Sequence, residues 1–218
     1  MELKGKRIAF LGDSITERYC ASSLENSFVE RIKIDKGLKE AYNYGVGGTR
    51  FAKQSKPSED STWDMDFISR VDGMEQDVDI VVVFGGTNDF GHGDAPFGNF
   101  GDVSEDTFCG ACYVLMKKLV EKYPTVPVII VTPLHRHNEN ELINKFGLPR
   151  QPLREYVDII RKTAEVFSLP VVDLFAYGGM QPCVKGQYAA YFVDGLHPND
   201  AGHAKIAEML SRFMEMFL

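Results

Sequence analysis

Five short stretches of this chain are apolar enough to lie inside a protein. They cover 7–11, 41–44, 80–84, 128–131 and 171–174. Three of them, 7–11, 80–84 and 128–131, are near-continuous rather than alternating, the pattern of strands covered on both faces in a parallel sheet. Between them apolar residues recur at three- and four-residue spacings, which predicts helices. Phe108, Ala111, Leu115 and Leu119 mark a helix over 104–122, with Ser104 as its cap. Leu153, Val157, Ile160, Ala164 and Phe167 mark one over 153–168, and Ile206, Leu210, Phe213 and Phe217 one over 200–217, capped by Asn199 or Asp200. A further helix is expected over 24–36. Strands alternating with helices argue for one parallel sheet with helices on both faces. Right-handed crossovers then place every strand C-terminus on one edge. The long irregular segments 50–62, 90–103, 133–151 and 176–193 each follow a strand and should gather at that edge.

Composition narrows this picture. At 218 residues the chain suits one α/β domain, 1–218, with a sizeable core. A formal net charge of -7 disfavours nucleic acid or an anionic membrane as partner, since phosphate recognition needs a basic face. No stretch approaches the roughly 20 apolar residues of a membrane span, and no secretory leader is visible. Cys20, Cys109, Cys112 and Cys183 do not make a disulfide scaffold at this length, so free thiols and a cytoplasmic location are expected. Composition is silent on oligomeric state.

The chemistry concentrates in short motifs at strand ends. Gly12-Asp13-Ser14-Ile15-Thr16 follows the first strand, and Asp194-Gly195-Leu196-His197-Pro198 precedes the last helix. A hydroxyl, a base to take its proton and a carboxylate to orient the base are the parts of a nucleophilic hydrolase. Such a nucleophile also needs donors for the oxyanion. Asn43-Tyr44-Gly45-Val46-Gly47-Gly48-Thr49 and Gly85-Gly86-Thr87-Asn88-Asp89 supply candidates: the Ser14 N–H, the Gly48 N–H (with Gly47 as the alternative) and the Asn88 side chain. Asp13 is expected to bond nearby loop N–H groups.

These four blocks, in this order, resemble the GDSL/SGNH hydrolase family over residues 12 to 198, with Ile15 where leucine is usual. The resemblance implies a three-layer αβα sandwich, a flavodoxin-like central parallel sheet of about five strands, and an esterase or lipase-type acylhydrolase. It implies Ser14 as nucleophile, His197 as base, Asp194 as its orienter, and an oxyanion hole of Ser14, Gly48 and Asn88. It implies no metal and no organic cofactor.

Competing motifs are weaker. Gly45-x-Gly47-Gly48 looks like a dinucleotide loop until Arg50, where the fingerprint needs glycine or alanine. No Gly-x-Ser-x-Gly elbow is present. Cys109 and Cys112 fall within a predicted helix and read as buried thiols, His135 and His137 as surface or pocket-rim residues, and His203 as a helix-surface residue. The expected reaction is hydrolysis of a small-molecule ester through an acyl-enzyme on Ser14. The mostly polar 135–145 segment suggests a short acyl group, acetyl above all, on a hydrophilic alcohol such as a sugar. Trp63, Phe90 and Tyr191 are the candidates for lining an apolar slot. The alternatives are an acyltransferase sharing that acyl-enzyme, a lipase or lysophospholipase-type acylhydrolase, and a non-catalytic small-molecule-binding domain.

Overall fold

Period-two alternation inside the apolar runs sorts their side chains onto two faces. In the computed structural model, which describes residues 2–217, strand β1 (Arg7–Gly12) sends Ala9 and Leu11 to one face and Ile8 and Phe10 to the other. Strand β3 (Ile80–Phe84) divides Val81 and Val83 from Ile80, Val82 and Phe84, and β4 (Val128–Val131) divides Val128 and Ile130 from Ile129 and Val131. With β2 (Glu40–Gly45) and β5 (Val171–Val172) they form one sheet in the order β2-β1-β3-β4-β5, every pair parallel. This is the flavodoxin-like order, which reverses direction between β1 and β3 and leaves a crevice at their C-terminal ends.

Each face is closed by helices. On one side lie α3 (Phe67–Arg70), α5 (Phe108–Lys122) and α6 (Leu153–Val166), which bury Phe67, Phe108, Leu115, Val157 and Ile160. On the other lie α2 (Phe28–Lys36) and α9 (Asp200–Phe217), which bury Phe28, Ile32, Ile206, Leu210 and Met214. Removing a side chain such as Leu210 from water contributes about 2 kcal/mol at most, so α9 is held by its packed stripe. Asn199 fixes its start by accepting the N–H groups of Ala201 and Gly202. Phe213 is partly buried at the edge of the stripe, and the Phe217 side chain lies outside the described residues. Among the described residues no helix is long and apolar enough to cross a membrane.

Element ends differ from expectation for local reasons. The fifth strand stops at Val172, because Asp173 turns the chain by capping the short helix α7 (Leu174–Tyr177) through Ala176 N–H while bonding Arg161. The helix expected over 24–36 is broken at Ser27, which caps α2 after a single 3₁₀ turn, Leu24–Asn26. The helix expected from 104 begins at Phe108, where Thr107 accepts the Gly110 N–H. Segments 50–62, 90–103 and 133–151 reach the Ser14 edge. Segment 176–193 meets the His197 turn without lining the cleft: it carries α8 (Lys185–Tyr191), packed against α9.

Candidate active site

The turn after β1 is built to present one hydroxyl. Asp13 caps α1 (Ser14–Glu17) by accepting the Ile15 N–H at 3.0 Å. The Asp13 carboxyl is buried, and loss of solvation pushes its pKa up to about 7. A side chain at Gly12 would collide with Thr16, so the strand can feed directly into this tight turn. Arg70 secures the same corner from below, donating to the carbonyls of Gly12 and Tyr44 and to Thr49 Oγ1.

Ser14 Oγ lies 3.0 Å from His197 Nε2, and His197 Nδ1 lies 2.7 Å from Asp194 Oδ2. Residues 183 apart in sequence thus form one hydrogen-bonded chain. The carboxylate is held by its own turn: Asp194 Oδ1 accepts the N–H groups of His197 (2.7 Å) and Leu196 (3.0 Å). Partial burial opposes ionisation of Asp194, but these donors and the imidazole outweigh it and keep the carboxyl below the usual range. His137 supports the turn from behind. Its N–H donates to Gly195 O, and its ring fills the space that any side chain at position 195 would need. That ring is fixed in turn by Tyr188 and by a bond to Pro182 O.

The donor candidates converge on the same cleft of about 600 Å³, which Ser14, Gly48 and Asn88 all line. Asn88 stands at the start of α4 (Thr87–His92), with one amide N–H donated to Thr49 O at 3.1 Å. Among the described residues its second N–H has no acceptor. Gly47 and Gly48 differ: Gly47 N–H is committed to Glu17 Oε2 at 2.8 Å, whereas Gly48 N–H makes no hydrogen bond among the described residues. Gly48 has φ +74°, and a Cβ there would strike the Trp63 ring.

Of the three aromatic residues considered for the slot, Trp63 lines the cleft. Phe90 does not: it is fully buried in the core against Tyr156, and Arg150 and Arg136 lie over its ring. Tyr191 packs on the α9 side with Lys205 over its ring. The helical spacing of Phe90 within α4 turns its side chain inward, and the return of α8 onto α9 takes Tyr191 away from the edge.

His203 is fully buried, against the expectation of a surface residue, because α9 packs this face on α2. Its Nδ1 accepts the Phe28 N–H and its Nε2 donates to Tyr19 O, each at 3.3 Å. Tyr19 in turn sets its ring edge-on to His197, with centroids 4.5 Å apart. Burial lowers the His203 pKa to about 4. His135 pairs with Glu139 outside the cleft. Cys109 and Cys112 are buried, and desolvation pushes Cys109 up to about 11. Arg136, Lys145 and Tyr19 also line the cleft. The sequence offered no motif for these three; two of them stood only as basic or polar positions in a long loop.

The family described as GDSL-like Lipase/Acylhydrolase matches residues 10–205. Among solved structures, a protein from Lactobacillus plantarum is 29% identical, with a TM-score of 0.83 over 99% of each chain. The lipase/acylhydrolase from Enterococcus faecalis is 22% identical, with a TM-score of 0.67 over 98% of this chain and 97% of its own. A member of the lipolytic protein G-D-S-L family from Veillonella parvula is 18% identical, with a TM-score of 0.61 over 94% and 96%. The last two likenesses speak to the fold. No curated protein matches the chain. The match from β1 through the first turns of α9 takes in the serine turn, both glycine-rich strand ends and the histidine loop, and the chain belongs to the GDSL-like lipase/acylhydrolase family, an ester-hydrolysing family.

Proposed function

We propose that the protein is a serine esterase that cleaves short-chain esters of a hydrophilic alcohol through an acyl-enzyme on Ser14. The observation that carries this reading is the continuous chain Ser14–His197–Asp194, at 3.0 and 2.7 Å, opening into a cleft of mixed polar and apolar lining. An ionised Asp194 accepts the proton-bearing Nδ1 of His197, which leaves Nε2 free to accept from the Ser14 hydroxyl. Ser14 Oγ then bonds to the ester carbon while its proton passes to His197 Nε2. The carbonyl oxygen takes up the negative charge and is met by N–H groups of Ser14, Gly48 and Asn88. His197 gives the proton to the departing alkoxide as the ester C–O bond breaks. Water, deprotonated by the same imidazole, releases the acid and restores Ser14.

The short-acyl reading rests on the walls. A long acyl chain gains about 0.8 kcal/mol per buried CH₂ only along continuous apolar surface. Here Val46, Leu196, Trp63 and Tyr19 share the lining with Asp60, Thr62, Asn138 and Lys145. Aryl acetate, butyrate and octanoate compared by kcat/KM test it. Acetate is expected to exceed octanoate by about tenfold or more. An octanoate preference of that size overturns the short-acyl reading. A phosphonate probe should label wild type at one residue and leave Ser14→Ala unlabelled. Ser14→Ala should also lose turnover by roughly 10⁴-fold or more. Persistent labelling or turnover in that variant overturns the serine mechanism.

A further inference from the structure

Loop 133–151 brings two cations to the cleft that no carboxylate among the described residues meets within ion-pair distance. Arg136 Nε donates to Asn138 Oδ1 at 2.8 Å, and Nη1 donates to Thr87 O at 3.0 Å and Thr87 Oγ1 at 3.2 Å. All three acceptors are neutral. Its Nη2 makes no hydrogen bond among the described residues. Lys145 reaches across the opening with Nζ 4.3 Å from the Trp63 ring centroid and 4.8 Å from that of Phe146. Neither cation has an ion pair among the described residues.

The cleft also contains carboxylates, and each is hydrogen-bonded to groups other than Arg136 and Lys145. Glu17 accepts the Gly47 N–H, Asp60 accepts Thr62 N–H and Oγ1–H, and Asp194 holds its turn and His197. The neighbouring buried arginines differ from Arg136 in this respect. Arg50 pairs with Asp64 at 2.9 Å and Arg150 with Glu141 at 3.3 Å. The lining thus carries three carboxylates, Glu17, Asp60 and Asp194, beside two cations that form no ion pair with them among the described residues. His92, on the same wall, adds no charge. Burial, with Arg50, Lys145 and Arg136 around it, lowers its pKa to about 3 and leaves it neutral.

A half-buried guanidinium with one nitrogen unbonded and no ion pair gains from a partner, and its planar donor fork suits a carboxylate or phosphate. We propose that the ester accepted by this cleft carries an anionic group, a carboxylate or phosphate, held by Arg136 with Lys145 closing over it. This rests on the esterase reading and refines it: the hydrophilic substrate is an anion. Arg136 and Lys145 thereby determine specificity, while the Ser14 chemistry stays the same.

Two isosteric substrate pairs test the proposal and locate the charge. Monophenyl succinate against methyl phenyl succinate places it on the acyl side. 4-Acetoxybenzoate against 4-acetoxybenzamide places it on the alcohol side. Wild type should prefer the anionic member of at least one pair by about tenfold or more in kcat/KM. About 0.5 M salt should reduce that preference by screening. Arg136→Gln should bring it close to unity, and Lys145→Gln should diminish it. Should Arg136→Gln fail to fold, the wild-type pairs and the rim variant Lys145→Gln still decide. Equal or better hydrolysis of the neutral member in both pairs, still abolished in Ser14→Ala, overturns the anion site and leaves the esterase reading standing. Hydrolysis that survives Ser14→Ala overturns the esterase reading instead.

Discussion

The two walls of the cleft are built by different means. On one wall, Ser14 and Asn88 stand within a few residues of the ends of β1 and β3, central strands of the sheet. Their turns are pinned by buried groups: Asp13 on Ile15 N–H, Asp89 on the N–H groups of Phe51 and Ala52, and Arg70 on the carbonyls of Gly12 and Tyr44. On the other wall, Trp63, Arg136 and Lys145 hang on long loops. These loops are tied by single buried arginines, Arg50 to Ser58 and Asp64, and Arg150 to the carbonyls of Phe90 and Glu141. The strand-end wall can hold reacting atoms to a fraction of an ångström, as catalysis demands. The loop wall contacts what surrounds the ester bond. Changes on the first should fall on kcat, and changes on the second on KM and substrate choice.

Asn88→Ala is the strongest way to break this division. Losing one oxyanion donor costs about 3 kcal/mol, roughly a hundredfold or more in kcat, with KM little changed. Steady-state kinetics on an aryl acetate checks it. A rise in KM alone would make Asn88 a substrate clamp and place both walls in the same role.

A subtler test reaches the support behind His197. Neutral His203 is preferred in the fold, where its pKa is about 4 against about 6.5 in a free chain. The unfolded chain therefore binds the extra proton between those values, so stability rises with pH across the window. This contribution is complete above about 6.5 and lost as pH falls toward 4, about 2 kcal/mol between pH 7 and pH 5. His92 acts in the same direction. Asp13, with its pKa raised to about 7, acts in the opposite one. Urea unfolding of wild type and His203→Gln at both pH values isolates the histidine. The variant's stability should change less favourably with rising pH by that amount, and an identical pH difference in both proteins would remove His203 from the account.

The smallest expected effect lies on the loop wall. Trp63→Ala removes the aromatic surface beside Gly48 and under Lys145. KM for aryl acetates should rise several-fold, about 1 kcal/mol, with kcat held within about a factor of two. A drop in kcat comparable to that of Asn88→Ala would mean that Trp63 positions the oxyanion glycine rather than the substrate.

Much of this was legible in the sequence because period and spacing are local properties. Apolar runs marked the three central strands to within a residue, and the stripe from Ile206 to Leu210 marked α9. Serine, asparagine and histidine motifs at strand or helix ends announced the cleft because a strand end is where a side chain can leave the sheet. Strand order, the choice between adjacent glycines and the fates of Phe90, Tyr191 and His203 could not be read that way. Gly48 is distinguished from Gly47 only because Glu17 comes close enough to occupy the latter's N–H. His203 is buried only because α2 lies against α9. Arg136 and Lys145 gain meaning only once every nearby carboxylate is seen to be bonded elsewhere. The sequence by itself determined the sheet, its flanking helices and the candidates for the reacting groups, since each follows from the periodicity of a segment or the chemistry of a short motif. Tertiary structure alone decided which donors are free, which rings reach the cleft and which charges lack a partner, because those are relations between segments that the chain brings together only on folding.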